Sequence, residues 1–397
     1  MPSPLAIDGG APVRTQLLPY GRQAIGDDDV AAVVDVLRSD WLTTGPAVSR
    51  FERAFADCVG VREAVTVSSG TAALHAAVHA IGIGPGDEVI VPPITFAATA
   101  NAVAYEGGTP MFADVDPATL LLDPAQAEAR ITPRTKAIIA VDYAGQPCDY
   151  DGLRGVADRH HLRLLADACH ALGATYHGRR VGSLADISAF SFHPVKLIAA
   201  GEGGMLATDD ADAARRMRTF RNHGITTDHR ERERATAWFY EQVELGFNYR
   251  LSDIHCALGA SQLQKLPGWI TRRQQIAAAY RMAFSDVPGL RPLAIADDRS
   301  HAYHLFVIEL DLARLTVDRR RIFAALRAEG IGVNVHYVPV HLHSFYRDRF
   351  GTGPGLCPVA EAAYERMLTL PLFHAMSNGD VADVIAAVHK VVGAYCR

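Results

Sequence analysis

Between residues 63 and 208 the chain alternates short, continuous apolar runs with stretches whose apolar residues recur at helical spacing. The apolar runs cover 63–67, 88–91, 110–113, 136–141, 162–166, 187–192 and 205–208, and helical spacing covers 70–81, 96–105 and 150–160. Strands that are apolar throughout, rather than on alternate positions, are covered on both faces. Helices between them predict a mostly parallel sheet, hence an α/β fold. The helices near Gly70 and Thr95 aim their N-termini at one sheet edge, where ligands of open α/β sheets bind.

The flanks read differently. Residues 1–24, rich in Pro and Gly, form an irregular arm. A helix starts at Asp27 with acids in its first turn, and a second covers 49–59 after a turn at 41–46. Helix 211–221 is followed by a charged, turn-rich segment, 222–244, whose DHRERER run predicts a solvated loop. Helices are expected at 252–264 and 270–284, broken at Pro267. Beyond Asp298, strand 303–310, helix 319–329, strand 332–337, helix 359–367 and helix 381–395 suggest a smaller α+β unit. The expected organisation is an arm (1–24), a large domain (25–269) and a small C-terminal domain (270–397).

Composition narrows the function. A chain of 397 residues that is 49% hydrophobic accommodates a large and a small domain. A net charge of -5 leaves no basic footprint for nucleic acid. Six cysteines scattered without C-x-x-C spacing argue against a metal site and a disulfide framework, and suit a reducing cytoplasm. No apolar leader or membrane-length run is evident, so a cytoplasmic protein without a membrane partner is expected.

Three stretches carry chemistry. Ser68-Ser69-Gly70-Thr71 opens a helix after a strand and presents N–H groups and hydroxyls to an anion, although an ordinary N-cap uses the same residues. No GKS or GKT follows, so it is not a nucleoside triphosphate loop. Asp167 ends an apolar strand at the same edge and calls for a cationic partner. A structural cap, or a metal shared with His170, are the alternatives. Lys196 follows strand 187–192 among apolar and small neighbours, ahead of Gly201, Gly203 and Gly204. A surface lysine is the ordinary reading, whereas burial would lower its pKa and free a nucleophilic amine. Together, an anion cradle, a carboxylate at a strand end and such a lysine match pyridoxal 5'-phosphate. That cofactor needs a phosphate site, a partner for its ring nitrogen and a lysine for its aldehyde.

The stretches SSGTAALHAA, PPITFAATANAV, DACHALGA, FSFHPVKLIAAGEGGML, GFNYRLSDIHCALGASQL and VHYVPVH resemble the DegT/DnrJ/EryC1/StrS family of sugar-nucleotide aminotransferases, from about Tyr20 to the last helix. The resemblance implies the fold type I, aspartate-aminotransferase-like architecture and a homodimer with composite sites. It makes Lys196 the Schiff-base lysine and Asp167 the partner of the pyridinium nitrogen. Gly70, Thr71 and Ser191 fall to the phosphate, Phe96 to stacking on the ring, and Asn248 to the phosphate in the partner subunit. His170 stands where many members carry Gln, on the side of the cofactor's 3-oxygen. Tyr20, Arg250, His336 and Tyr337 are candidates for the substrate. The implied reaction moves an amino group from L-glutamate, leaving 2-oxoglutarate, to C4 of a nucleotide-linked 4-keto-6-deoxy sugar. The motifs are most similar to the pseudaminic acid branch, which acts on UDP-4-keto-6-deoxy-N-acetyl-L-altrosamine-type sugars. Perosamine- and aminoarabinose-type enzymes share most of these residues. A sugar 3-dehydratase would carry His at position 196. A non-catalytic pyridoxal-binding regulator and a hydrolase using His341 and His343 are the remaining rivals.

Overall fold

The helix expected at Asp27 forms as α1 (Asp27–Leu37), and Asp29 fixes its start by accepting from the Gly26 N–H at 2.9 Å. The computed structural model describes residues 4–227, 232–233 and 235–397. Helix α2 (Pro46–Val59) begins on proline, which has no N–H to leave unpaired. The alternation follows as β1 (Glu63–Val67), α3 (Gly70–Ala80), β2 (Glu88–Val91), α4 (Ala98–Tyr105), β3 (Thr109–Phe112), α5 (Pro124–Glu128), β4 (Thr135–Val141), α6 (Tyr150–Arg159) and β5 (Arg163–Asp167). A hairpin, β6 (Thr175–Tyr176) and β7 (Arg179–Arg180), precedes β8 (Ile187–Ser191), β9 (Gly204–Thr208) and α7 (Ala211–Arg221).

Seven strands form one sheet in the order β1-β9-β8-β5-β4-β2-β3. Only β9 runs against its neighbours. The register brings the chemistry-bearing ends together, pairing Val67 with Gly204, Gly204 with Ser191, Asp167 with Ala189 and Val141 with Asp167. Gly204 is required at this crossing, because a Cβ there would stand 2.3 Å from the Ser69 carbonyl oxygen and 3.0 Å from the Gly70 nitrogen. The GEGG run therefore lets β9 pass beneath the turn that opens α3.

A second core lies over the antiparallel sheet β10 (Leu290–Pro292), β11 (Phe306–Leu310) and β12 (Met367–Leu370). Packed there are the end of α8 (Asp253–Phe284), α9 (Arg319–Ala328) and the last helix, Asn378–Tyr395, together with Leu5 and Leu18 from the N-terminal segment.

Three expectations are corrected. Pro267 does not break a helix, since α8 runs unbroken through it for 32 residues. An interior proline costs about 3 kcal/mol. Buried Leu263, Leu266, Ile270 and Ile276 flank it, and each full burial contributes roughly 1.5–3 kcal/mol. Residues 332–337 are extended but form no ladder. Ile331 bridges Leu18 on one side and Asn334 bridges Thr369 on the other, so the pairing changes partner too soon. The helix expected at 359–367 ends at Tyr364, and Met367 instead starts β12. The described residues of segment 222–244 are mostly exposed, as a solvated loop would be, with Trp238, Phe239 and Tyr240 among them; Ile225 bridges Gln242, and Asn222 bridges Asn248 just beyond the segment. Most of its charged run, 228–234, lies outside the described residues, with Arg232 and Glu233 the described exceptions.

Candidate active site

Ser69 caps α3, its hydroxyl accepting from the Ala72 N–H at 3.1 Å. The Gly70 and Thr71 N–H groups, in the first turn, have no intrahelical acceptor and carry the positive end of the helix dipole. Ser191, at the end of β8, packs against this turn so closely that a Cβ on Gly70 would lie 2.8 Å from its own Cβ. The result is a small-residue cradle of N–H and hydroxyl donors, suited to a phosphate.

Asp167 ends β5 and is 7% exposed. Its expected cationic contact is absent among the described residues. Instead Thr99 donates to Oδ2 at 2.6 Å, the Cys169 N–H to Oδ1 at 3.3 Å, and Thr99 in turn bonds Thr95 at 2.7 Å. The two threonines stand four apart, one helical turn, in the stretch ITFAAT. That spacing was the available signal for them. These neutral donors fix the orientation of the buried carboxylate.

Lys196 lies on the turn after β8, its N–H bonded to the His193 carbonyl at 2.8 Å. Its amine makes no hydrogen bond or ion pair among the described residues. The side chain is part-exposed to the cavity rather than fully buried. Desolvation by the surrounding protein lowers its pKa, opposed by the charges of Cys169 and Asp167.

Tyr20, Gly70, Thr71, Phe96, Asp167, His170, Ser191, Lys196, His336 and Tyr337 all line one cavity of about 550 Å³. Phe96 sits at its lip, 61% exposed, with its ring 6.2 Å from that of Tyr337. The Tyr20 ring is 5.1 Å from His336, whose Nδ1 pairs with Thr369 Oγ1 at 2.9 Å. His170 Nε2 lies 3.2 Å from the Tyr337 hydroxyl. Three buried imidazoles crowd this wall. Burial first, and then the Lys196 charge, push His170 well below the usual histidine range and His336 to about 4. His304 is depressed by burial and by His170 and Lys196, and the sequence reading missed it because it stands in an apolar run entering β11.

Two expected residues stand elsewhere on this chain. Asn248 is exposed, outside the cavity. Arg250 donates to Asn222 Oδ1 at 2.8 Å and lines a separate cavity of about 440 Å³ with Arg215, Arg218 and Arg221. His341 is buried against Glu361 at 2.9 Å, a structural contact rather than a solvent-facing ligand.

The donor set fits pyridoxal phosphate. The small-residue turn at Gly70 and Thr71 could cradle its phosphate, the Asp167 carboxylate could pair with its ring nitrogen, and the Lys196 amine, which makes no hydrogen bond or ion pair among the described residues, could take its aldehyde. Comparison with known proteins agrees. The model of the DegT/DnrJ/EryC1/StrS aminotransferase family matches residues 23–389. The chain belongs to this family. It is therefore a pyridoxal phosphate-dependent sugar aminotransferase with the fold type I architecture that the motifs implied. As a DegT/DnrJ/EryC1/StrS member, it is 44% identical over 381 residues to the spore coat polysaccharide biosynthesis protein SpsC of Bacillus subtilis (strain 168), covering 96% of this chain and 98% of that one. Among solved structures, Helicobacter pylori PseC, an aminotransferase involved in the biosynthesis of pseudaminic acid, superposes with a TM-score of 0.90 at 32% identity, covering 96% of this chain and all of that one. Spr1654 of Streptococcus pneumoniae in its PMP form also gives a TM-score of 0.90, at 31% identity, covering 95% of this chain and 99% of that one. The same protein is known in a PLP form. No helix among the described residues is long and apolar enough to cross a membrane.

Proposed function

We propose that this family member transfers an amino group from L-glutamate to C4 of a nucleotide-linked 4-keto-6-deoxy sugar of the UDP-4-keto-6-deoxy-N-acetyl-L-altrosamine type. The observation that carries the reaction is the unpaired Lys196 amine in the same cavity as Asp167 and the Gly70–Thr71 cradle. PseC's place in pseudaminic acid biosynthesis supports the sugar assignment. SpsC, named for a coat polysaccharide, favours a second substrate class within the same chemistry, a sugar destined for another surface glycan.

When bound, pyridoxal phosphate supplies an electron sink for exchanging an amino group at a neighbouring carbon. Lys196 would hold it through its amine and, when that amine is free, would move a proton as base and then acid. Its lowered pKa makes the neutral amine more accessible for that task. Asp167, oriented by Thr99, would pair with its ring nitrogen and favour the protonated form. Gly70, Thr71 and Ser191 would anchor its phosphate, Phe96 would cover a ring face, and Tyr20 and His336 would meet the sugar. Asn248, exposed on this chain, is assigned to the phosphate site of a second copy, so the working unit is a homodimer.

The purified protein should be yellow, and L-glutamate should bleach it. Assay against UDP-, GDP- and dTDP-linked 4-keto sugars then selects the substrate. Bleaching by glutamate with no turnover of any 4-keto sugar would refute the substrate assignment alone.

A further inference from the structure

Tyr249 does not line the cavity, yet it is bonded to the turn that does. Its carbonyl accepts from the Ser68 N–H at 2.7 Å, immediately before Ser69-Gly70-Thr71. Its own N–H donates to the Arg221 carbonyl at 3.0 Å. The Arg221 guanidinium in turn donates to the Thr66 carbonyl at 2.6 Å and lies 3.0 Å from Thr66 Oγ1, on β1. The Tyr249 ring is stacked on Phe247 at 4.9 Å and 12°, and its hydroxyl lies 3.1 Å from Nδ1 of His75, inside α3. His75 is 3% exposed, and its Nε2 is 2.7 Å from Glu106 Oε1.

We propose that Tyr249 is a positioning residue for the Gly70–Thr71 cradle, clamping the junction of β1 with α3 at Ser68 and the body of α3 at His75. This rests on that turn being the phosphate site of the function proposed above. The carboxylate sets the direction of the bonds. An ionised Glu106 only accepts, so a neutral His75 carries its N–H on Nε2, and Nδ1 is left to accept the Tyr249 hydroxyl proton. One side chain and its own carbonyl thereby tie the entry of α3 to its second turn. A first helical turn holds an anion well only when its N–H donors are already aimed, because donors that must be ordered on binding lose affinity to that ordering. The Ser69 cap bond to Ala72 fixes the turn from within, and Tyr249 fixes it from without.

The test compares two ligands added to the full chain freed of cofactor: pyridoxal 5'-phosphate, and pyridoxal, which has the same ring and aldehyde without the phosphate. Visible absorbance follows the binding of each. Tyr249→Phe removes the hydroxyl and keeps the ring stack. It should raise the dissociation constant of pyridoxal phosphate roughly three- to tenfold, the worth of one hydrogen bond, and leave that of pyridoxal unchanged. Tyr249→Ala, which loses the stack as well, should widen the difference. An unchanged constant for pyridoxal phosphate in Tyr249→Phe overturns the proposal. Equal losses for the two ligands overturn it too, since they would reflect a general loosening of the site. A wild-type protein that binds pyridoxal phosphate no more tightly than pyridoxal contradicts the phosphate site itself, and one that shows no visible band with either contradicts the underlying function.

Discussion

The Thr99 hydroxyl donates to Asp167 Oδ2 at 2.6 Å and is itself bonded to Thr95 at 2.7 Å. This pair of residues, one from α4 and one from the end of β5, gives the buried carboxylate its orientation. Thr99→Val keeps the volume and removes the donor. Loss of one hydrogen bond to a charged group amounts to about 1.5–3 kcal/mol, so kcat should fall roughly ten- to a hundredfold. Thr99→Ser should stay near wild type. Steady-state kinetics of the two variants check this, and equal losses in both would show that the methyl group matters instead.

Asp167→Asn should retain the fold, because an amide can still accept from Thr99. Turnover should nevertheless drop by orders of magnitude, since a neutral amide cannot hold a facing ring nitrogen protonated. Circular dichroism and rate measurements on the same preparation separate the two effects. A near-normal rate contradicts the role assigned to Asp167.

Gly204→Ala places a methyl group against the Ser69 backbone, where no flexible side chain can yield. Urea unfolding should show a loss of about 2–3 kcal/mol, and retention of added pyridoxal phosphate should fall with it, because the same turn forms the cradle. Unchanged stability would mean that the crossing of β9 beneath α3 is looser than the structure shows.

A titratable clasp joins α3 to the 222–249 segment. His75 and His79 both bond Glu106, at 2.7 and 3.2 Å, and His79 also bonds Glu244 at 3.2 Å. Burial raises the Glu106 carboxyl, but hydrogen bonds from both histidines outweigh it and bring it down to about 2. Its stabilisation is therefore present above the ordinary glutamate value of 4.5 and is lost as pH falls from there through about 2. His79 is shifted the other way. Burial lowers it, but bonds to Glu106 and Glu244 raise it on balance, so its contribution is full below 6.5 and fades as pH rises through the raised value. Glu106→Gln should be less stable than wild type at pH 6 and should lose less on acidification to pH 3. Parallel acid limbs in the two proteins would contradict the clasp.

Much of the site was legible because short motifs fix it locally. Ser68–Thr71 opens a helix, Asp167 ends an apolar strand, and Lys196 stands out among small neighbours. The strand-helix alternation was legible for the same reason, with boundaries shifted by a residue or two. What escaped depends on contacts between distant segments. Thr99 acquires meaning only when α4 packs beside β5, and His304 only when the approach to β11 reaches the turn after Asp167. Pro267 signals a break locally, yet burial on both sides of it keeps α8 whole. Residues 332–337 have strand character, but Leu18 and Thr369 compete for their edges. Asn248 and Arg250 lie outside the cavity on the single chain, and no local pattern says which surface meets them.

The assignment of Lys196 as the residue that carries the cofactor is tested most directly by borohydride reduction of the holoenzyme followed by peptide mapping. A pyridoxyl label on Lys196, absent in Lys196→Ala along with all turnover, is the predicted result. A label on another lysine, or turnover surviving in Lys196→Ala, would contradict it.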